Sequence, residues 1–402
     1  MSNVVRSRLQ VQGWKGYTAL ILLWQVTASI CFYSVYAVTP FIRDEFGISA
    51  TYIGVMMTTL TLGYTLFLLP VGSIIDEYGE DRALVLGLLG LAVGAVGVTA
   101  APTYLTLLAA VFILGAFYAT AMPGTNKAVF NAIPADRLNT SMGIKQVGVT
   151  AGSGISAVLV PWFGAAHFGW EVAFLLAAGW AVIISVVFWM IYDAGSRGGD
   201  SDRHGIRGHL ANPEYVLLAA AGFALGAGLF TTIGYTILYV DENVGASVVL
   251  AGVTLAAAQV FGSAGRIGFG WLADYLSMPL TASTLRILCL QAGASAVLFL
   301  AVTFVDSPTV ALVLFSLLGF FVLGFTGVYY SCIGSLVPTE EMGSATAGGQ
   351  IALNCGALLA PPAFGLIVDT RSYEAAWTML AGASFVALVF LVVLLWRTHR
   401  DN

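Results

Sequence analysis

The sequence predicts an all-α membrane protein of twelve transmembrane helices, arranged as two pseudo-symmetric six-helix bundles. Three observations lead there: an apolar excess that no soluble core absorbs, twelve runs long enough to cross a bilayer, and a repeat that carries one half of the chain onto the other. Of 402 residues, 58% are hydrophobic and 9% charged, whereas soluble domains carry about a quarter charged residues. The surplus apolar surface must therefore face lipid. The 46 glycines, against 12 prolines, suit helices packed closely through small residues.

A transmembrane helix needs about 20 apolar residues to cross roughly 30 Å of hydrocarbon. The spans are expected at approximately 17–41, 52–75, 83–101, 104–127, 139–164, 170–193, 214–240, 248–273, 283–304, 308–334, 343–369 and 372–396. The first sixteen residues are polar and lack a cleavable signal, so span one is expected to be retained. The uncharged run between Arg82 and Lys127 divides at Ala101-Pro102-Thr103-Tyr104, because proline marks a turn. The run between Asp306 and Glu340 fits one long tilted helix. The Gly-, Ser- and charge-rich stretch at 194–212 reads as a cytoplasmic linker between a bundle at 1–193 and a bundle at 213–402.

Lys and Arg favour cytoplasmic loops. Placing the N-terminus inside puts Arg6, Arg8, Lys15, Arg82, Arg137, Arg197, Arg203, Arg207, Arg286, Arg397 and Arg400 on the cytoplasmic flanks, and only Arg43 and Arg371 outside. Both termini are then cytoplasmic, in a plasma or inner cell membrane, and the chain is expected to act as a monomer in its lipid bilayer.

A shift of 198 residues carries Phe41-Ile-Arg-Asp-Glu-Phe-Gly47-Ile-Ser49 onto Tyr239-Val-Asp-Glu-Asn-Val-Gly245-Ala-Ser247, Gly54 onto Gly252, and Gly72-xxx-Asp76 onto Gly270-xxx-Asp274. A shift of 204 carries Pro134 onto Pro338, Gln146 onto Gln350 and Gly152 onto Gly356, and a shift of 203 carries Glu171 onto Glu374. Duplicated bundles of this kind place a binding site between the repeats near the midplane.

The segment Gly72-Ser-Ile-Ile-Asp76-Glu-Tyr-Gly79-Glu-Asp-Arg82 resembles the G-x-x-x-D-x-x-G-R-[KR] signature of the major facilitator superfamily, and Gly270-Trp-Leu-Ala-Asp274 resembles its degenerate second copy. The resemblance implies that family's fold and alternating-access transport. It assigns Gly72, Asp76, Gly79, Arg82, Gly270 and Asp274, with Arg137, to a cytoplasmic gate. Glu80 and Asp81 depart from the pattern, standing where the family has basic residues. The span-four arginine of proton-coupled members is replaced by Val111, and the glycine-proline motif of drug antiporters is absent from 143–161. Both departures argue against a proton-driven exporter of drugs or other cationic or neutral solutes, which stands as the alternative function.

Ionisable groups inside a bilayer are costly and mark function. The acids lie in loops or near helix ends, and His167, His204, His209 and His399 lie outside the spans. Lys127, Lys145 and Arg266 remain. Arg266 precedes Asp274 by eight residues, about 12 Å of helix, and Arg266-xxx-Gly270-xxx-Asp274 is similar to the span-eight arginine of monocarboxylate and oxalate–formate transporters, where it pairs with the substrate carboxylate. The other reading is an arginine bonded to helix carbonyls or to a loop aspartate. Lys145-Gln146 sits in Met142-Gly-Ile-Lys-Gln-Val-Gly148, which with Asn126-Lys-Ala-Val-Phe130 resembles a signature of prokaryotic cyanate and organic-anion carriers. The other reading is snorkelling, which is favoured for Lys127.

Positive charge without a membrane carboxylate selects an anion, so a small organic or inorganic anion is the expected substrate. The resemblance puts further polar and aromatic candidates around the cavity: Gln25, Tyr33, Tyr36, Tyr64, Tyr118 and Asn126 in the first half, and Tyr235, Gln259, Tyr329, Tyr330, Gln350 and Asn354 in the second. Taken singly, each is also explained as a packing or interhelical residue. Cys31, Cys289, Cys332 and Cys355 lie in apolar runs without metal-ligand spacing. No catalytic motif, cofactor motif, metal site or basic run for nucleic acid is present, so an enzyme is not expected.

Overall fold

The computed structural model describes residues 13–134, 137–166, 168–192, 212–276, 278–338 and 341–400, and among these every regular element is helical. Twelve helices are long and apolar enough to cross a membrane: Trp14–Ala37, Ala50–Ile75, Glu80–Thr99, Tyr104–Ala132, Thr140–Ala165, Glu171–Ile191, Pro213–Glu242, Val248–Tyr275, Leu280–Val302, Pro308–Leu336, Ser344–Thr370 and Tyr373–Thr398. They are spans one to twelve below. The expected linker lies, except for Asn212, outside the described residues, as do Arg6, Arg8, Arg197, Arg203, Arg207, His167, His204 and His209.

Local chemistry sets the starts. Thr103 and Thr106 form a reciprocal capping box at span four. Asn212 accepts from the Glu214 amide at 2.9 Å, with Pro213 in the first turn of span seven. Ser247 and Ser307 cap spans eight and ten. Span one ends at Ala37 instead of the expected 41, because the helix is interrupted at Val38 and a separate short helix, Thr39–Phe46, carries Pro40 in its first turn.

Spans four and ten are broken. Span four consists of half-helix 4a, Tyr104–Tyr118, and half-helix 4b, Ala121–Ala132, with Ala119 and Thr120 between them. Pro123 accounts for the break, since its ring collides with the carbonyl four residues earlier, at Ala119. Span ten passes through a π-helical segment, Gly319–Leu323, and resumes as a helix at Thr326. The 204-residue shift carries Thr120 onto Gly324, so both halves break at equivalent places.

Two compact units result: residues 1–46 with 59–200, and 47–58 with 201–402, in their described parts. The first turns of span two therefore group with the second unit. There Asp369 accepts the Ala50 and Thr51 amides at 2.9 and 2.8 Å, capping that helix start from span eleven. Within each unit the helices meet through glycine. A Cβ on Gly115 would stand 2.0 Å from the Leu60 carbonyl oxygen, and one on Gly319 would stand 2.1 Å from that of Ala258. Gly152 likewise abuts the Val26 carbonyl, and Gly356 that of Phe223. The sequence shifts map Leu60 and Gly115 onto Ala258 and Gly319, and Gly152 onto Gly356, whose carbonyl neighbour Phe223 lies one residue before the equivalent of Val26.

Candidate functional site

In the first unit, span five buries Lys145 to 1% exposure. Its Nζ donates to Asn126 Oδ1 on half-helix 4b, and among the described residues no carboxylate accompanies it. A desolvated ammonium facing one neutral acceptor is an electrostatically incomplete site. Asn126 adjoins Thr125, whose hydroxyl donates to Gln25 Oε1 at 3.4 Å. Gln25 Nε2 donates to Ser29 Oγ at 3.3 Å, and Ser29 shares a 3.3 Å hydrogen bond with the Tyr118 hydroxyl. A polar line therefore runs from the lysine along span one to an aromatic cluster.

That cluster contains Phe32, Tyr33, Tyr36, Tyr64 and Tyr118. Phe32 stacks on Tyr118 at 4.0 Å, Tyr33 and Tyr36 lie 5.8 Å apart, and Tyr64 lies 5.7 Å from Tyr118. Aromatic rings with polar tips offer an apolar wall and hydroxyl groups to one ligand. Phe32 is not foreseeable from sequence, because a lone Phe in a span has no chemical signal. Gln146 does not join Lys145: it is exposed while its neighbour is buried, as successive helix residues about 100° apart require.

In the second unit, Arg266 Nε donates to the Leu323 carbonyl at 3.0 Å. Leu323 ends the π segment, where a carbonyl is freed from regular helix bonding. The bond lies at the break in span ten. Gln259 lies seven residues earlier on the same helix face. It is buried, and its amide nitrogen has no partner among the described residues. Tyr330 donates to Gln350 Oε1, and Gln350 Nε2 donates to Asn354 Oδ1 at 2.8 Å. Tyr329 is fully buried, with its hydroxyl 3.4 Å from the Gly349 carbonyl. The Tyr235 hydroxyl lies 2.7 and 3.0 Å from the Ala50 and Pro361 carbonyls, so it ties spans seven, two and eleven together. Apart from Gln259, these candidates are held by one another or by backbone carbonyls.

The expected gate residues differ in their surroundings. Gly79 has φ +91°, which a side chain rarely adopts, and it begins span three. Gly72 and Gly270 have open space where a Cβ would point. Arg82 and Asp274 are exposed, and Arg137 lies 5.5 Å over the Trp14 ring. Asp76 is described only as helical backbone. Lys127 Nζ donates to the Ile75 carbonyl at 3.0 Å, capping the end of span two as a snorkelling lysine does.

Glu80 stands out in the sequence only as a departure from a motif, yet it is buried at 2% exposure. Its Oε1 accepts from Asn131 Nδ2 at 2.7 Å and from the Tyr192 hydroxyl at 2.8 Å. Burial pushes the Tyr192 phenol well up, and the neighbouring Glu80 charge adds to the shift. From sequence, an acid in the first helical turn reads as a dipole partner on the surface, which hides this role.

The major facilitator superfamily model matches residues 21–352 and 287–402. Among curated proteins, the hexuronate transporter of Bacillus subtilis (strain 168) is 23% identical over 374 residues, covering 88% of each chain. The D-galactonate transporter of Escherichia coli O6:H1 is 20% identical, covering 96% of this chain and 97% of its own. The probable sulfoacetate transporter SauU of Cupriavidus necator is 23% identical over 90% of each. Among solved structures, a bacterial homologue of the human lysosomal transporter Spinster superposes with a TM-score of 0.77 at 15% identity, covering 96% of each chain. The nucleoside transporter NupG superposes with a TM-score of 0.79 at 13% identity, covering 94% of this chain and 99% of its own. The twelve-span, two-unit chain belongs to the major facilitator superfamily.

Proposed function

We propose that the protein carries a small organic anion across the cell membrane by alternating access, as a single chain with both termini in the cytoplasm. The observation that carries this reading is Lys145, a buried ammonium whose hydrogen-bond partner among the described residues is the neutral Asn126. An arriving carboxylate or sulfonate supplies the missing charge. The aromatic cluster of span one and Tyr118 then walls the rest of the solute, and its hydroxyls orient polar substituents. The second unit has its own membrane cation, Arg266, and on the same helix face the Gln259 amide, which has no partner among the described residues.

The solutes after which the relatives are named, a hexuronate, D-galactonate and sulfoacetate, are all anions, and the family match runs over residues 21–402. A cation exporter would need a buried acid facing the solute. The one buried acid among the described residues, Glu80, is instead held by Asn131 and Tyr192.

Uptake of labelled hexuronates, aldonates and sulfonates by proteoliposomes tests the proposal. Lys145→Ala is expected to abolish uptake of the transported anion and Arg266→Ala to reduce it, with neutral sugars ineffective as competitors. Anion uptake indifferent to both substitutions would overturn it.

A further inference from the structure

Half-helix 4b is twelve residues long and detached from 4a, so its own propensity does not fix its position. Side-chain anchors do. Thr125 reaches Gln25 and Asn126 receives Lys145, at the candidate site. Lys127 reaches the end of span two, and Asn131 reaches Glu80. Asn126 and Asn131 are five residues apart, about 7.5 Å along the axis. The buried charged side chains among the described residues are Glu80 and Lys145, and each grips this same half-helix through an asparagine. Glu80 is fixed in turn, because its Oε1 also accepts from Tyr192 beyond span six.

We propose that Glu80 is a positioning residue for the anion site: through Asn131 it sets the rotation and height of half-helix 4b, and so the point at which Asn126 holds the Lys145 ammonium. Without the Glu80 acceptor, the Asn131 amide and the Tyr192 hydroxyl lose their shared anchor. Half-helix 4b then pivots about Ala119–Thr120, and Lys145 no longer meets the solute in one geometry. The acid that replaces a basic residue in the motif thereby serves the solute rather than the gate alone. The inference rests on the anion-site reading of Lys145, so its test needs an arm that does not depend on transport.

Glu80→Ala, Glu80→Gln, Asn131→Ala and Lys145→Ala are compared with the parent in two measurements, on protein that elutes as a folded species. The first is hydrogen exchange of the 121–132 amides; the second is the concentration dependence of anion uptake. Glu80→Ala and Asn131→Ala are expected to speed exchange in 121–132 but not in spans five or six, and to raise KM about tenfold with Vmax changed less than about twofold. Glu80→Gln, which keeps an acceptor oxygen, is expected to restore both readouts. Unchanged exchange in Glu80→Ala and Asn131→Ala overturns the anchor. Faster exchange with KM unaltered, where Lys145→Ala abolishes uptake, overturns the link to the site. Glu80→Gln behaving like Glu80→Ala overturns positioning in favour of charge. Uptake indifferent to Lys145→Ala defeats the transport reading alone, and the exchange arm still decides whether Glu80 holds half-helix 4b.

Discussion

At the residue scale, Lys145 sets stability against function. Burying an ammonium beside one neutral acceptor costs several kcal/mol in effective terms, whereas leaving one amide oxygen unpaired costs about 1–3 kcal/mol. Lys145→Met keeps most of the volume, removes the charge and orphans only Asn126 Oδ1. Relief of the buried charge outweighs the orphaned acceptor, so the thermal midpoint of the purified variant is expected to rise by a few degrees. Anion uptake is expected to fall on the order of thirtyfold or more, as when one partner of a buried charge pair is removed. A midpoint that falls would show that Lys145 is compensated in the resting protein. Lys145 is legible in the sequence because a cation amid apolar residues is a strong signal. Glu80 is not, since only the tertiary packing of Asn131 and Tyr192 turns a first-turn acid into a buried one. Arg266 is half legible: its depth follows from counting turns, but its bond to Leu323 needs the π segment, which nothing in Gly319-Phe-Phe-Val-Leu323 announces.

At the element scale, the breaks in spans four and ten and the glycine contacts beside them are the duplicated features. The sequence shifts of 198 and 204 residues predict that Leu60 with Gly115 corresponds to Ala258 with Gly319, and the same carbonyl-to-glycine approach recurs at both. Helix association in lipid depends on such close packing, because no water drives it. A side chain at either glycine would meet backbone that has nowhere to move, with overpacking costs of about 1–3 kcal/mol or more. Gly115→Val and Gly319→Val are each expected to lower the thermal midpoint and the yield of folded protein. Gly72→Ala, where a Cβ meets open space, is expected to leave both unchanged. Equal tolerance at all three positions would refute the contact. Span boundaries are the least legible part, as caps such as Asn212 and the interruption at Val38 act over single residues that hydropathy averages away.

At the scale of the whole molecule, the proposed orientation, with both termini in the cytoplasm, rests on an even span count and the distribution of positive charge. Twelve spans return both termini to one side. The proposal takes the side from Lys and Arg: Arg82, Arg137 and Arg286 lie beside the connections after spans two, four and eight, while Arg43 and Arg371 lie beside those after spans one and eleven. Two exposed positions at opposite ends of span eight test it directly. Asn243 precedes that span, and Tyr275 closes it at 70% exposure. In a background lacking Cys31, Cys289, Cys332 and Cys355, Asn243→Cys is expected to react with a membrane-impermeant maleimide in intact cells, and Tyr275→Cys only after the membrane is opened. The reverse pattern would invert the topology. It would also place Glu80 and its half-helix anchor at the outer face, so that the aromatic cluster would be entered from the opposite side. Labelling of both in intact cells would break the span count itself, since a single crossing by Val248–Tyr275 is what separates the two positions.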